Sequence, residues 1–248
     1  MKLRQIQKED YNLILELDDK VYPVQKESKI NYEIIDIWYN KYPKYGMIYT
    51  NPNIINNNII AMNIAIPMPI SIWYKLIRGE CFENTLDINW DNINEENEEN
   101  NKKPIIIGIH IYHIEVLNRD IVGKAFYKRT LQDLSQIANF YNHQIKGLSG
   151  YCVTQKGNRL FKNVLNCKNA DDLLENINKD NKSEFIIENP KDGKISIVEC
   201  PPDTDINKPY LDNSFQPPKE YKFVSKCNML YTIKNNDNEI KSPVWSYL

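Results

Sequence analysis

The sequence predicts an α+β fold (an α/β three-layer arrangement): a mixed central sheet of about six to seven strands flanked by helices, with polar surface insertions. Three observations carry that prediction. Residues Pro104 to Val116 read PIIIGIHIYHIEV, the most apolar and β-branched stretch of the chain, which suits a central strand buried on both faces. Gly46 to Thr50 and Ile59 to Ile66 flank the turn signal Asn51-Pro52-Asn53, which suits a hairpin. From about Val122 to Tyr141, the residues Phe126, Leu131, Leu134, Ile137 and Ala138 recur at helical spacing and form an inward stripe.

Each element follows in order. Residues 2–7 (KLRQIQ) read as a short strand, and Lys8-Glu9-Asp10 opens a helix with Tyr11, Ile14 and Leu15 at helical spacing. Pro23 breaks it. A second helix is expected from about Asn31 to Tyr39, with Pro43 beyond its end. After the hairpin, Pro67 and Pro69 are expected to end the second strand, and Ile72 to Ile77 forms a short helix. Residues 91–103 (DNINEENEENNKK) carry almost no apolar side chain and read as a solvated insertion, because nothing there offsets the entropy of ordering. The long helix is followed by a strand at 148–154, a helix from Gly157 to Val164, a polar insertion near 168–184, and strands near 193–199 and 221–233. No repeat divides the chain. The expectation is one domain over 1–248, with a core of 1–167 plus closing strands near 190–234 and the two polar stretches as insertions.

Composition bounds the function. The 248 residues hold 31 Lys plus Arg against 33 Asp plus Glu, a net charge of -2, which excludes binding to nucleic acid through a basic field. No apolar run reaches the roughly 18 residues of a membrane span, and MKLRQIQKED lacks the apolar core of a secretory signal. Five widely spaced cysteines form no C-x-x-C pair, so free thiols in a reducing cytoplasm are expected and no metal site is evident. The chain has 35 isoleucines and 33 asparagines but only 8 glycines and 3 histidines. This bias towards AT-rich codons makes the scarce types the informative ones.

The strand-to-helix turn Asn118-Arg119-Asp120-Ile121-Val122-Gly123-Lys124-Ala125-Phe126 is where glycine is informative. A glycine there lets backbone approach a ligand, a helix start presents unpaired N–H groups to a phosphate, and Lys124 adds positive charge. Set in this order of elements, the turn resembles the pyrophosphate loop of the GCN5-related N-acetyltransferase (GNAT) superfamily, whose loop reads R/Q-x-x-G-x-G/A and often continues G-K-A-L. Val122 to Phe126 is similar to its end, with Ile121 at the place of a family glycine; in the other alignment Gly123 is that first glycine and Ala125 the second. The segment Val153 to Phe161 (VTQKGNRLF) resembles the family's V-N-x-x-A-x-x-L-Y, with Thr154 at the Asn and Phe161 at the Tyr that protonates the departing thiolate in many members. Phenylalanine has no proton to give, so that proton would come from water or from Tyr151 or Cys152.

The resemblance implies an acyl-CoA-dependent N-acetyltransferase using acetyl-CoA as acyl donor. Ile121, Val122, Gly123, Lys124, Ala125 and Phe126 would hold the pyrophosphate. Ile114 and Val116 would pair with the pantetheine, and Thr154, Asn158 and Phe161 would line its arm. An amine acceptor needs a base, because an ammonium has no lone pair. Carried over without gaps, the family's base position lands on an isoleucine, so the candidates are His113 and Glu115, nearest the loop, and His110, deeper. Strand alternation sets His110 and Tyr112 on one face and His113 and Glu115 on the other; a bulge here, usual in the family, would shift that parity. Glu80, Glu83 and Asp87 are candidates to attract a cationic amine, against the default of a solvated face. The competing readings are a catalytically inactive CoA-binding module and, last, a cysteine hydrolase built on Cys152. The expected partners are acetyl-CoA and an unidentified amine, without nucleic acid or membrane, with a homodimer as a candidate assembly.

Overall fold

The computed structural model describes residues 1–21, 29–54, 58–90, 103–123, 126–170 and 229–234. Among the described residues seven strands form one sheet: β1 (Lys2–Gln5), β2 (Gly46–Thr50), β3 (Ile59–Pro69), β4 (Ile105–Val116), β5 (His143–Tyr151), β6 (Lys168–Asn169) and β7 (Met229–Ile233). Their order is β1-β2-β3-β4-β5-β7-β6. Only β4 and β5 run parallel; every other neighbouring pair is antiparallel. The helices are α1 (Tyr11–Val21), α2 (Tyr32–Tyr39), α3 (Ile70–Ile77), α4 (Arg119–Val122), α5 (Phe126–Phe140) and α6 (Gln155–Arg159), the last continuing as one π turn over Leu160–Val164. The expected strand near 193–199 and most of the insertions near 91–103 and 168–184 lie outside the described residues, but the start of the second is not an insertion: Lys168–Asn169 is strand β6, paired with β7.

Local chemistry explains most boundaries. Asn31 caps α2 by accepting the Ile34 N–H at 2.9 Å, and Ile35, Trp38 and Tyr39 then fall on the buried face. In α5 the buried residues are Phe126, Thr130, Leu131, Asp133, Leu134, Ile137 and Ala138, so the predicted inward stripe is correct. Its start is not. The helix expected from Val122 is split: α4 is a separate single turn that ends at Gly123, and α5 begins at Phe126. The strand expected at 148–154 begins instead at His143, which is 5% exposed.

Pro67 and Pro69 do not end β3. The β2 ladder leaves β3 at Ile64, so from Ala65 onward that side of β3 is an edge with no N–H to supply. There the Ala65 carbonyl accepts the Tyr39 hydroxyl at 3.1 Å, while the other side continues to pair with β4 through Pro69↔Ile107.

The sheet carries helices on both faces. On one, α3 lays Trp73 across two glycines: a methyl added at Gly108 would stand 2.0 Å from Trp73 Cγ, and one at Gly147 would stand 2.3 Å from Trp73 Cη2. Trp73 is completely buried in the notch so formed. On the other face α5 covers Tyr49, whose hydroxyl donates to Asp133 at 2.9 Å while Arg129 closes a fork on the same carboxylate. Among the described residues no helix is long and apolar enough to cross a membrane.

Candidate active site

The parallel ladder between β4 and β5 begins at Ile105↔His143 and ends at His110↔Ser149. Beyond that pair the strands part. β4 continues for six residues with β3 as its ladder partner, while Gly150 and Tyr151 of β5 stay paired to Leu230 and Met229 of β7. A fork opens in the middle of the sheet, a place where an extended ligand can lie along a strand.

His110 stands at the crotch of this fork and is completely buried. Its Nε2 is 2.6 Å from Glu83 Oε1 and its Nδ1 is 2.9 Å from Ser149 Oγ, which in turn accepts the Trp73 Nε1–H at 2.8 Å. One proton arrangement satisfies every member. The indole only donates, and an ionised carboxylate only accepts. His110 Nε2–H therefore donates to Glu83, and the Ser149 hydroxyl, already accepting from Trp73, donates to Nδ1. The chain runs Trp73, Ser149, His110, Glu83, and ends at a carboxylate with 22% of its side chain exposed.

More groups converge on the same face. The Tyr112 hydroxyl donates to Asp18 of α1, and its ring packs 5.0 Å from Trp38 of α2. Burial pushes the Asp18 carboxyl up to about 7; the Tyr112 bond opposes that rise and the Glu83 charge adds to it. The Tyr151 ring meets His110 edge-on at 5.9 Å. Burial raises the Tyr151 phenol well above its usual value, and the charges of Glu83 and Cys81 add to the rise.

The predicted faces need correction. In the β3–β4 register Ile66 opposes His110, Ile64 opposes His113 and Met62 opposes Glu115, with an irregularity at Ile64/Ala65 that leaves Tyr112 as the extra residue. Ile66, Ile64 and Met62 share a face, so the bulge brings His110, His113 and Glu115 to one face rather than two. His113 Nε2 lies 3.6 Å from Glu115 Oε2, farther towards the loop than the Glu83–His110 contact. Among the described residues no group of three or more His, Cys, Asp and Glu could hold a metal ion. Glu80 is engaged by Arg78 at 2.5 Å and Asp87 is exposed, so of the three acidic candidates Glu83 is the one that meets His110. The sequence holds no spacing signal for that contact, since 27 residues separate the partners.

The cofactor-binding candidates fall into three groups. Ile114 and Val116 lie on β4 past the fork, opposite Asn63 and Ala61. In the loop, the Ile121 N–H goes to the Asn118 side chain, the Val122 N–H to the Asn118 carbonyl and the Gly123 N–H to the Arg119 carbonyl. Those three donors are thus used inside the turn rather than pointed at a ligand. Gly123 has φ 75° and ψ 176°, a conformation open only to glycine, although a methyl there would meet nothing within 4 Å. Lys124 and Ala125 lie outside the described residues, and Phe126, the first residue of α5, is buried against Tyr49 at 4.9 Å. In the third group, the Thr154 hydroxyl accepts the Gly157 N–H at 3.1 Å, so it caps α6, and the Asn158 N–H goes to the Thr154 carbonyl. Phe161 is buried over the fork: a methyl on Gly150 would lie 2.7 Å from its Cζ and 2.9 Å from the Ile111 carbonyl. Cys152 is 3% exposed and burial pushes its thiol up to about 12, which argues against a thiolate nucleophile.

No protein-family model and no curated protein matches the sequence. Solved structures do show a likeness. One is a polyamine N-acetyltransferase of Drosophila melanogaster that forms N-acetylagmatine, at 12% identity over 94% of this chain and 99% of that one, TM-score 0.42. Another is a mosquito arylalkylamine N-acetyltransferase, like 5b, with the same identity and coverage and a TM-score of 0.39. A third is Arabidopsis thaliana NAA60 in complex with acetyl-CoA, at 8% identity over 94% and 97%, TM-score 0.42. One parallel pair inside an otherwise antiparallel seven-stranded sheet, with helices on both faces, makes the described residues a mixed α+β fold.

Proposed function

We propose that this chain is an acyl-CoA-dependent N-acetyltransferase that moves the acetyl group of acetyl-CoA to an amine by direct attack. The observation that carries the reading is the β4–β5 fork with the Glu83–His110 pair, buried at His110 and partly exposed at Glu83, set at its crotch. A pantetheine arm is itself an extended chain of amides and suits the stretch from Ile111 to Val116, where β5 no longer pairs. Lys124, Ala125 and the start of α5 would face the phosphates; the support for these residues is the sequence motif.

His110 is too buried to touch a substrate, whereas Glu83 is partly exposed. Glu83 is therefore the base, and His110 holds it in place. The carboxylate first takes a proton from the ammonium and releases it to water. The neutral amine then attacks the thioester carbonyl, its second proton passes to Glu83, and the C–S bond breaks. His113 and Glu115, farther along β4, would face the arm rather than the reacting carbon. A second reading, a CoA-binding module without turnover, is favoured by Phe161, which presents no proton over the fork.

Calorimetric titration with acetyl-CoA, followed by thiol release across an amine panel, separates these readings. The acetyltransferase reading expects binding and turnover. Glu83→Gln should keep the affinity and lower kcat by about 10²–10⁴-fold, the usual contribution of a positioned base. Binding without turnover would favour the module, and absence of binding at millimolar ligand would defeat both. Unchanged kcat in Glu83→Gln, with loss in His113→Ala, would move the base back to the loop end of β4.

A further inference from the structure

Resting on the acetyltransferase reading, we infer that Ser149 is a positioning residue: it fixes which nitrogen of His110 carries the proton, so that Glu83 is oriented by an uncharged donor. Ser149 is completely buried on β5. Its hydroxyl has two partners, the Trp73 indole at 2.8 Å and His110 Nδ1 at 2.9 Å. The indole can only donate, so the Ser149 oxygen accepts from it. The hydroxyl proton then needs an acceptor of its own, and among the described residues His110 Nδ1 is the one it meets. The direction of the chain is thus imposed from the Trp73 end, on the other edge of the imidazole from Glu83.

That direction decides what Glu83 experiences. While Ser149 donates to Nδ1, the one imidazole proton sits on Nε2, and Glu83 Oε1 receives it as a hydrogen bond from a neutral ring at 2.6 Å. Two other states are chemically open to the ring. An imidazolium would set a full positive charge against the carboxylate and weaken it as a base. An Nδ1–H imidazole would turn a bare Nε2 towards Glu83, a contact that only a carboxyl already holding a proton can satisfy. Both states put a proton on Nδ1, and both would leave the Ser149 hydroxyl proton buried without an acceptor, which is costly. Ser149 therefore excludes both. Glu83 keeps its charge and its aim for the acceptor ammonium, although Ser149 itself is too buried to touch the substrate.

Nitrogen NMR of histidine-labelled protein reads the tautomer without ligand or substitution, and with only three histidines in the chain the ring signals are separable. We expect His110 to show a protonated Nε2 and a bare Nδ1 at neutral pH. In Ser149→Ala, which removes the donor and little volume, Nδ1 should become protonated in a measurable fraction of molecules. Its kcat should fall about 10–100-fold, the usual effect of removing a group that orients a functional histidine, with KM for the amine and acetyl-CoA affinity held within about twofold. A wild-type His110 protonated on Nδ1 would overturn the assignment, and so would a Ser149→Ala protein whose kcat stays within about twofold of wild type. A loss confined to KM, or one that leaves the tautomer unchanged, would reduce Ser149 to a packing role and overturn it too. A wild-type protein that binds no acetyl-CoA would remove the acetyltransferase reading and this role with it. The tautomer, read on the protein alone, tells that failure from a failure of the Ser149 assignment.

Discussion

Replacing Gly108 by alanine should loosen the site from beneath. The added methyl would stand 2.0 Å from Trp73 Cγ and 2.5 Å from its Cβ and Cδ1. That is roughly 1.4 Å inside ordinary carbon–carbon contact. The atoms struck are the root of the indole, so the ring cannot swing aside without moving α3. Overpacking a dense core costs about 1–3 kcal/mol. Displacing the indole also breaks the Trp73–Ser149 hydrogen bond and strands the buried indole N–H, which adds about 1–3 kcal/mol. We expect a loss near 3 kcal/mol, or a melting temperature lower by about 6–12 °C for a chain of this size. Thermal unfolding followed by circular dichroism reads it directly. Gly157→Ala is the control: its methyl would meet only Thr154 Oγ1, at 3.2 Å, in an exposed helix, and stability should stay within about 1 kcal/mol. A Gly108→Ala protein melting within about 2 °C of wild type would refute the reasoning, because the indole would then not be seated in the notch.

Two further outcomes follow from burial. Desolvation, with the Lys41 charge adding, pushes the His143 imidazole down to about 4, below its unfolded value. The unfolded chain therefore binds the extra proton between the two values, so this contribution to stability is complete above pH about 6.5 and is lost as pH falls towards 4. Urea titrations should show wild type weakening over that window more steeply than His143→Phe, and parallel curves would contradict the assignment. Cys152, with its thiol at about 12, should resist alkylation at pH 8 in the folded protein, and Cys152→Ser should turn over within about threefold of wild type. Loss of turnover in that variant would revive the hydrolase.

The layer arrangement was legible because periodicity and turn chemistry are local. β4 declares itself as a β-branched run, α5 by its stripe, and the β2–β3 hairpin by Asn51-Pro52-Asn53. The errors fall where a partner decides the outcome. Proline stops a strand only if its N–H is needed, and whether Pro67 faces a neighbour depends on how far β2 extends, which no window of β3 sequence contains. His143 reads as polar and exposed after a helix end, yet Tyr45 and Trp90 stack on it at interplanar angles of 9° and 7°, and the Tyr45 hydroxyl meets its Nδ1 at 3.0 Å. Those partners come from segments that are far away in sequence.

The site was legible as a strand and not as a face. Counting by twos along β4 holds only while the ladder is regular, and one extra residue at Tyr112 reverses the assignment of everything beyond it. Glu83 lay further from view, because only folding brings its turn over His110. What brings it there is the seating of α3: the segment from Ile70 to Glu83 is anchored by Trp73 in the notch of Gly108 and Gly147, and Trp73 also supplies the first donor of the chain that ends at Glu83. Two of the eight glycines thus act on the candidate base through Trp73, on the sheet face that His110 occupies. The glycine that the motif singled out, Gly123, has open space where its side chain would be and is required for its backbone angle alone. A packing change at Gly108 should therefore lower turnover through Glu83 while leaving the loop intact. A change at Gly123 should act on the loop and leave the Glu83–His110 pair in place.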